Sequence, residues 1–169
     1  AASDVYKRQG FECKWCADTY DTTTARAVDC NDRVVTEFVK WCQRQDFYEN
    51  TTIVVTGDHP RMDGSLVDGV SYYDRTVYDC FINPAKTWVR DEKSRSFTAM
   101  DMFPTILSAL GFDIEGDRLG LGTDLFSNTE TLLERKGFDW LNRELGKRSD
   151  YYTEQFVNPP AAGTAASRS

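Results

Sequence analysis

The run Thr51-Thr-Ile-Val-Val-Thr-Gly-Asp-His59 constrains this chain more than any other stretch. Residues 51–56 are all β-branched, and such side chains lose rotamer freedom in a helix but fit a pleated strand. The run is continuous rather than alternating. It therefore predicts a strand covered on both faces, as in a parallel sheet. Asn50 and Gly57 bound it, and Gly57 permits a sharp exit. Asp58 and His59 then stand side by side at the strand's carboxyl end, where open α/β sheets bind ligands.

A carboxylate oxygen beside an imidazole nitrogen is a donor pair suited to Mn²⁺ or Zn²⁺. An ion held there polarises a phosphoryl or sulfuryl oxygen and lowers the pKa of a bound hydroxyl. A plainer reading competes with this one: the Asp serves the turn and the His is an ordinary surface residue. Two ligands also fall short of the three or four that a site needs. His59 is the only histidine among 169 residues, which rules out a multi-His centre within this chain.

Upstream, Thr24 to Gln45 predicts a helix. Val34, Val35, Phe38, Val39, Trp41 and Cys42 recur as one stripe at helical period, and Asp21 or one of Thr22 to Thr24 can cap the start. Asp46 to Asn50 turns the chain. Helix, turn and buried strand together form the α-to-β half of a βαβ unit. Downstream, Asp58 to Asp74 reads as a surface loop and Thr76 to Ile82 as a second strand stopped by Asn83-Pro84. Trp88 to Ser96 is charged and expected to be exposed. Asp101 to Leu110 is a second helix, with Asp101 as N-cap, Pro104 in the first turn and Gly111 just past the end. Gly116 to Phe126 is a glycine-rich loop, and Asn128 to Gly146 is mostly helical with a weak point at Gly137. Val157 to Ser169 is expected to fray. Ala1 to Gln9 shows neither period nor cap and resembles a translated adapter scar.

Twenty basic residues against 27 acidic ones give a net charge of −7, which argues against a nucleic-acid partner. No apolar run approaches the roughly 18 residues of a membrane span, and the N-terminus has no apolar core of a signal peptide. Five cysteines cannot all pair within one chain. Cys13, Cys16 and Cys30 leave three readings open: a zinc knuckle, a disulfide arrangement or plain thiols. Cys42 and Cys80 read as small core residues. Arg61, Arg75 and Arg118 either meet phosphate or pin loops. Asp63, Asp68 and Asp74 lack the spacing of a calcium loop. Gly120-Leu121-Gly122 reads as turn glycine rather than a dinucleotide fingerprint.

Three motifs then coincide. Phe47-Tyr-Glu-Asn50 followed by residues 51–59 resembles the metal-binding signature of the sulfatase-like branch of the alkaline phosphatase superfamily. Within that branch, the lipoteichoic acid synthase and phosphoglycerol transferase group is the most similar. Phe97-Thr-Ala-Met-Asp-Met-Phe-Pro-Thr-Ile-Leu-Ser-Ala-Leu-Gly111 resembles a later helix of that group, and Gly116 to Phe126 the loop after it. The resemblance implies an α/β fold: the C-terminal part of an alkaline-phosphatase-like sandwich with a mostly parallel central sheet, spanning residues 10–152. Residues 1–9 would be foreign to it and 153–169 a flexible tail.

The resemblance further implies that Asp58 and His59 are metal ligands, to Mn²⁺ or in some relatives Zn²⁺, with Mg²⁺ a further option. Pro60 stands where many relatives carry Gly. The threonine nucleophile, an acidic ligand and a substrate-binding histidine of the family belong to an N-terminal half with no counterpart here, as do its membrane helices. The expected parent is a cell-membrane enzyme with an extracytoplasmic catalytic domain. It would move a phosphoglycerol, phosphoethanolamine or sulfate group on an envelope phospholipid, glycolipid or glycopolymer, and this chain alone would be inactive. The alternative is a free-standing cysteine-containing module that binds a metal or a partner without catalysis.

Overall fold

A computed structural model describes residues 14–60 and 76–158. These fall into two compact units. One runs to Thr87 and includes Ile106–Phe112; the other comprises Trp88–Thr105 and the residues from Asp113 onward. Cys13, Arg61, Asp63, Asp68, Asp74, Arg75 and the segments 1–9 and 159–169 lie outside the described residues.

The first unit opens with helix α1, Thr23–Cys42, whose N-cap Thr22 accepts a hydrogen bond from the Ala25 N–H. Its stripe is divided. Cys30 and Cys42 are buried and Val35 and Val39 half-buried, but Val34, Phe38 and Trp41 are exposed. Trp41 instead gathers Phe38 and Phe47 about itself, with ring centroids 5.9 and 6.0 Å away. A single helical turn at Tyr48–Asn50 leads into strand β1, Ile53–Thr56.

Strand β1 pairs with β2, Asp79–Ile82, and the pairing is antiparallel, with Ile53 opposite Ile82 and Thr56 opposite Asp79. Ile53, Val54 and Val55 are only half-buried. The expected parallel sheet is therefore not what the described residues show. A β-branched run reports fit to a pleat, whereas the direction of its neighbour is set by distant residues. The second strand is also shorter than expected. Asn83 ends it at a φ of 55°, and its side-chain amide donates to the carbonyls of Tyr48 and Thr51 at 2.9 and 3.0 Å. Thr52 Oγ1 donates back to the Asn83 and Ala109 carbonyls at 3.0 and 3.2 Å, so both ends of β1's approach are tied down.

Helix α2 spans Ala99–Ala109 and starts two residues before Asp101. The capping residue is thus Thr98, and Asp101 is the third helical residue of a reciprocal box. The Met100 N–H donates to Thr98 Oγ1 at 3.3 Å, and the Thr98 N–H to Asp101 Oδ2 at 2.8 Å. The other carboxylate oxygen, Oδ1, takes the Thr123 N–H at 2.8 Å. Asp101 was expected to cap; that pairing with Thr123 moves it inward, and it is 2% exposed. Pro104 is correspondingly the sixth helical residue and buried, rather than in the first turn.

The glycine-rich stretch 116–126 is a tight hairpin instead of a loop. Strands β3 (Arg118–Leu119) and β4 (Gly122–Thr123) pair antiparallel around Gly120-Leu121, with Gly120 at a φ of +62°. Positive φ at the first turn residue alone is the type II′ pattern. Beyond β4, Leu125 and Phe126 are buried, and Phe126 stacks on Trp88 at 4.0 Å between centroids. Helices α3 (Leu132–Lys136) and α4 (Phe138–Leu145) break at Gly137 as the sequence predicts. A short helical stretch follows at Asp150–Val157.

The segment expected to be exposed, Trp88 to Ser96, contains a buried charge. The Arg95 side chain is 1% exposed. It donates to the carbonyls of Leu125, Ser127 and Thr129 at 3.0, 2.8 and 2.7 Å, and to both Glu134 oxygens at 2.9 and 3.0 Å. Glu134 also accepts the Thr131 and Ser96 N–H groups, and Thr131 caps α3 in return. Burial pushes the Glu134 carboxyl up. The hydrogen bonds from Arg95, Thr131 and Ser96, with the Arg95 charge, outweigh it and hold the group below its ordinary value of 4.5. A carboxylate whose folded pKa is depressed stabilises the fold above the unfolded pKa and loses that contribution as pH falls through the folded one. The chain is expected to lose stability as pH drops below about 4.5, and Glu134→Gln to flatten that part of the curve. Melts at a series of acidic pH values check this; parallel curves for the two proteins would count against it.

Candidate metal centre

The exit of β1 is pinned on both sides. The Gly57 N–H donates to the Tyr78 carbonyl at 3.0 Å, carrying the ladder one residue past Thr56. Thr56 Oγ1 donates to the Asp79 carboxylate across the pair. A Cβ on Gly57 would lie 3.0 Å from Val77 Cβ, a tight contact that glycine avoids. Beside this exit the Tyr78 phenol is held above its ordinary pKa. Its hydrogen bond to Cys80 contributes most, then the Cys80 charge, slight desolvation and the Asp32 carboxylate, so it stays neutral.

Asp58 and His59 follow and face each other. Asp58 Oδ1 accepts the His59 backbone N–H at 3.0 Å, and Oδ2 lies 3.5 Å from His59 Nε2. His59 Nδ1 lies 2.8 Å from the Pro60 carbonyl oxygen. An oxygen acceptor there assigns the proton to Nδ1, which puts the lone pair of the neutral ring on Nε2, beside the Asp58 carboxylate. The Asp58 and His59 side chains are 76% and 41% exposed, so solvent ions reach both. Metal–ligand bonds of about 2.0–2.2 Å in a tetrahedral arrangement separate two donors by about 3.4 Å. The observed 3.5 Å fits one cation between Oδ2 and Nε2. A backbone carbonyl fixing the second ring nitrogen is the usual support for a ligating histidine.

Among the described residues no group of three or more His, Cys, Asp or Glu side chains gathers into a fuller cage. Of the other candidates, Arg118 is exposed on β3. Cys16, Cys30, Cys42 and Cys80 carry thiols, with Cys30 and Cys42 buried. Sequence reasoning missed the Thr56–Asp79 pair. The signal was available: Asp79 is an acidic residue amid Thr76-Val-Tyr-Asp-Cys-Phe-Ile, where strands are depleted of aspartate.

A helix, a turn and a short strand whose exit carries an adjacent carboxylate and imidazole are the mixed α and β elements at this site. The Sulfatase family model matches residues 3–112, more than half of the 169, and the chain belongs to the sulfatase family, within the alkaline phosphatase-like superfamily. Domains of this family generally bind a divalent metal. No curated protein and no solved structure gave a match. No helix among the described residues is long and apolar enough to cross a membrane.

Proposed function

We propose that Asp58 and His59 are two ligands of the divalent cation of a sulfatase-type enzyme that cleaves or transfers phosphate or sulfate esters. The 3.5 Å meeting of Asp58 Oδ2 and His59 Nε2 at the exit of β1 carries this reading, together with family membership. Mn²⁺ is the preferred ion, with Zn²⁺ or Mg²⁺ as substitutes. When bound, it supplies positive charge at the transferring group and lowers the pKa of a nearby hydroxyl. Asp58 contributes the anionic oxygen, and the Pro60 carbonyl keeps the His59 proton on Nδ1 so that Nε2 presents its lone pair.

The order of the three motifs supports a narrower placement in the lipoteichoic acid synthase and phosphoglycerol transferase group. The substrate would then be a phospholipid or glycopolymer of the cell envelope, met by an extracytoplasmic domain of a membrane enzyme. On this reading residues 10–152 form the C-terminal part of the catalytic domain. The threonine nucleophile and remaining ligands come from outside it, and no catalytic residue is assigned within the chain.

Mn²⁺ titration followed by electron paramagnetic resonance tests the ligand assignment. Asp58→Ala and His59→Ala are each expected to weaken binding at least tenfold, about 1.4 kcal/mol. Equal affinities for wild type and both variants would remove the assignment.

A further inference from the structure

Arg26, Cys30 and Arg33 stand at i, i+4 and i+7 of helix α1, which places them on one face. The residues just before the helix are tied to that face. Arg26 Nη1 donates to the Tyr20 carbonyl at 2.5 Å and to Asp18 Oδ1 at 3.3 Å. Arg33 Nη2 donates to the Trp15 carbonyl, and the same nitrogen stands 3.7 Å from Cys30 Sγ. The Trp15 carbonyl belongs to the peptide unit that joins Trp15 to Cys16. One guanidinium nitrogen therefore touches both the backbone at Cys16 and the sulfur of Cys30. Two such contacts end to end keep that carbonyl oxygen within roughly 7 Å of the sulfur. Cysteines joined by a disulfide have Cα atoms about 4.4–6.8 Å apart, so the two segments are held at a comparable range. Both cysteines carry thiols, Cys30 buried and Cys16 half-buried, and each has other partners as well.

We propose that Cys16 and Cys30 are a redox pair: oxidation joins them in a disulfide that staples residues 14–21 to α1. The oxidant is a small-molecule disulfide of the oxidised-glutathione type. Cys16, the more accessible of the two, attacks one sulfur of it as the thiolate and releases one glutathione thiolate. Cys30, as the thiolate, then attacks the Cys16 sulfur of the mixed disulfide and releases the second. The two thiols of the chain give up two protons and two electrons, and the oxidant is reduced to two thiols. The new bond closes the loop of residues 16–30 and so restricts the unfolded chain. The Arg33–Trp15 hydrogen bond uses a carbonyl and needs neither thiol, so it braces the pair in both redox states. This pairing is independent of the metal-ligand reading of Asp58 and His59.

Trypsin places the five cysteines on five different peptides: Cys13 on 9–14, Cys16 on 15–26, Cys30 on 27–33, Cys42 on 41–44 and Cys80 on 76–86. The reduced full-length chain is equilibrated with a buffer of oxidised and reduced glutathione that contains a chelator. Remaining thiols are alkylated, and the unreduced digest is read by mass spectrometry. The 15–26 peptide is expected linked to the 27–33 peptide, lighter by two hydrogens than the sum of the two. The oxidised chain is expected to melt roughly 6–12 °C above the reduced one. Cys16→Ser and Cys30→Ser should each abolish that shift, and Cys13→Ser should keep it. Where a serine variant does not fold, the wild-type peptide map decides alone. Cys30 found alkylated under excess oxidised glutathione, Cys16 left alkylated or capped by glutathione, or either residue linked to Cys13 would overturn the proposal.

Discussion

Gly122→Ala is expected to cost more than about 4 kcal/mol and to lower the melting temperature by roughly 8–16 °C or more. A Cβ built on Gly122 lies 2.0 Å from the Met100 carbonyl oxygen, 2.8 Å from its carbon and 3.1 Å from Pro104 Cγ. Two of these atoms belong to helix backbone, so no rotamer change relieves the clash. The location is explained by Pro104. Proline has no N–H to return to the carbonyl four residues earlier, which is Met100, and β4 packs against that carbonyl. Separating β4 from α2 would also break the Thr123–Asp101 and Leu125–Thr105 hydrogen bonds, 2.8 and 3.0 Å long. Gly120→Ala is the control. Its φ is +62° but nothing lies within 4 Å of its Cβ, so it should cost only the left-handed backbone term of about 1–2 kcal/mol. Thermal melts of both variants read the difference. A Gly122→Ala protein that melts within a few degrees of wild type would show that β4 does not press on the helix.

Arg95→Met is expected to destabilise by about 3–5 kcal/mol. Methionine matches the stem but removes every donor, leaving the Leu125, Ser127 and Thr129 carbonyls and the Glu134 carboxylate without their guanidinium. The loss is dominated by Glu134, whose side chain is 11% exposed and keeps Arg90, at 3.6 Å, as its ionic partner, rather than by the bond energies. Two consequences separate this from ordinary packing loss. Arg95→Lys should recover little, because an ammonium cannot span a carboxylate and three carbonyls as a planar fork does. Adding Glu134→Gln to Arg95→Met should restore part of the stability, since a largely buried carboxylate that has lost its guanidinium fork is then gone. Denaturant unfolding of the four proteins gives the cycle, and strict additivity would refute the coupling.

Both predictions concern residues that the sequence presents as unremarkable. Arg95 sits in Asp91-Glu-Lys-Ser-Arg-Ser96, a polar string that reads as solvated surface. Only the folded chain shows three carbonyls converging on it from residues 125–129, about thirty positions away. Asp101 fits either an N-cap or a third-position partner. The Thr123 N–H decided between them. The exposed Phe38 and Trp41 carry the same lesson: period locates a helix and an apolar stripe, but it does not identify what covers the stripe. The candidate ligands were legible, because Gly-Asp-His after a β-branched run places them by local geometry alone. The Thr56–Asp79 hydrogen bond was not, since it needs the register of a strand twenty-three residues on.

What the sequence determined by itself is local. Helical period placed α1 and α2, the β-branched run placed β1, Asn83 and Gly137 placed the breaks, and the order of motifs placed the chain in its family. These follow from backbone sterics and side-chain spacing within a few residues. The tertiary structure decided which strand β1 pairs with and in which direction, which charge is buried, and which glycine is pressed against a carbonyl. Those outcomes depend on contacts across tens of residues, where several partners satisfy the same local pattern and only packing and hydrogen-bond satisfaction select one.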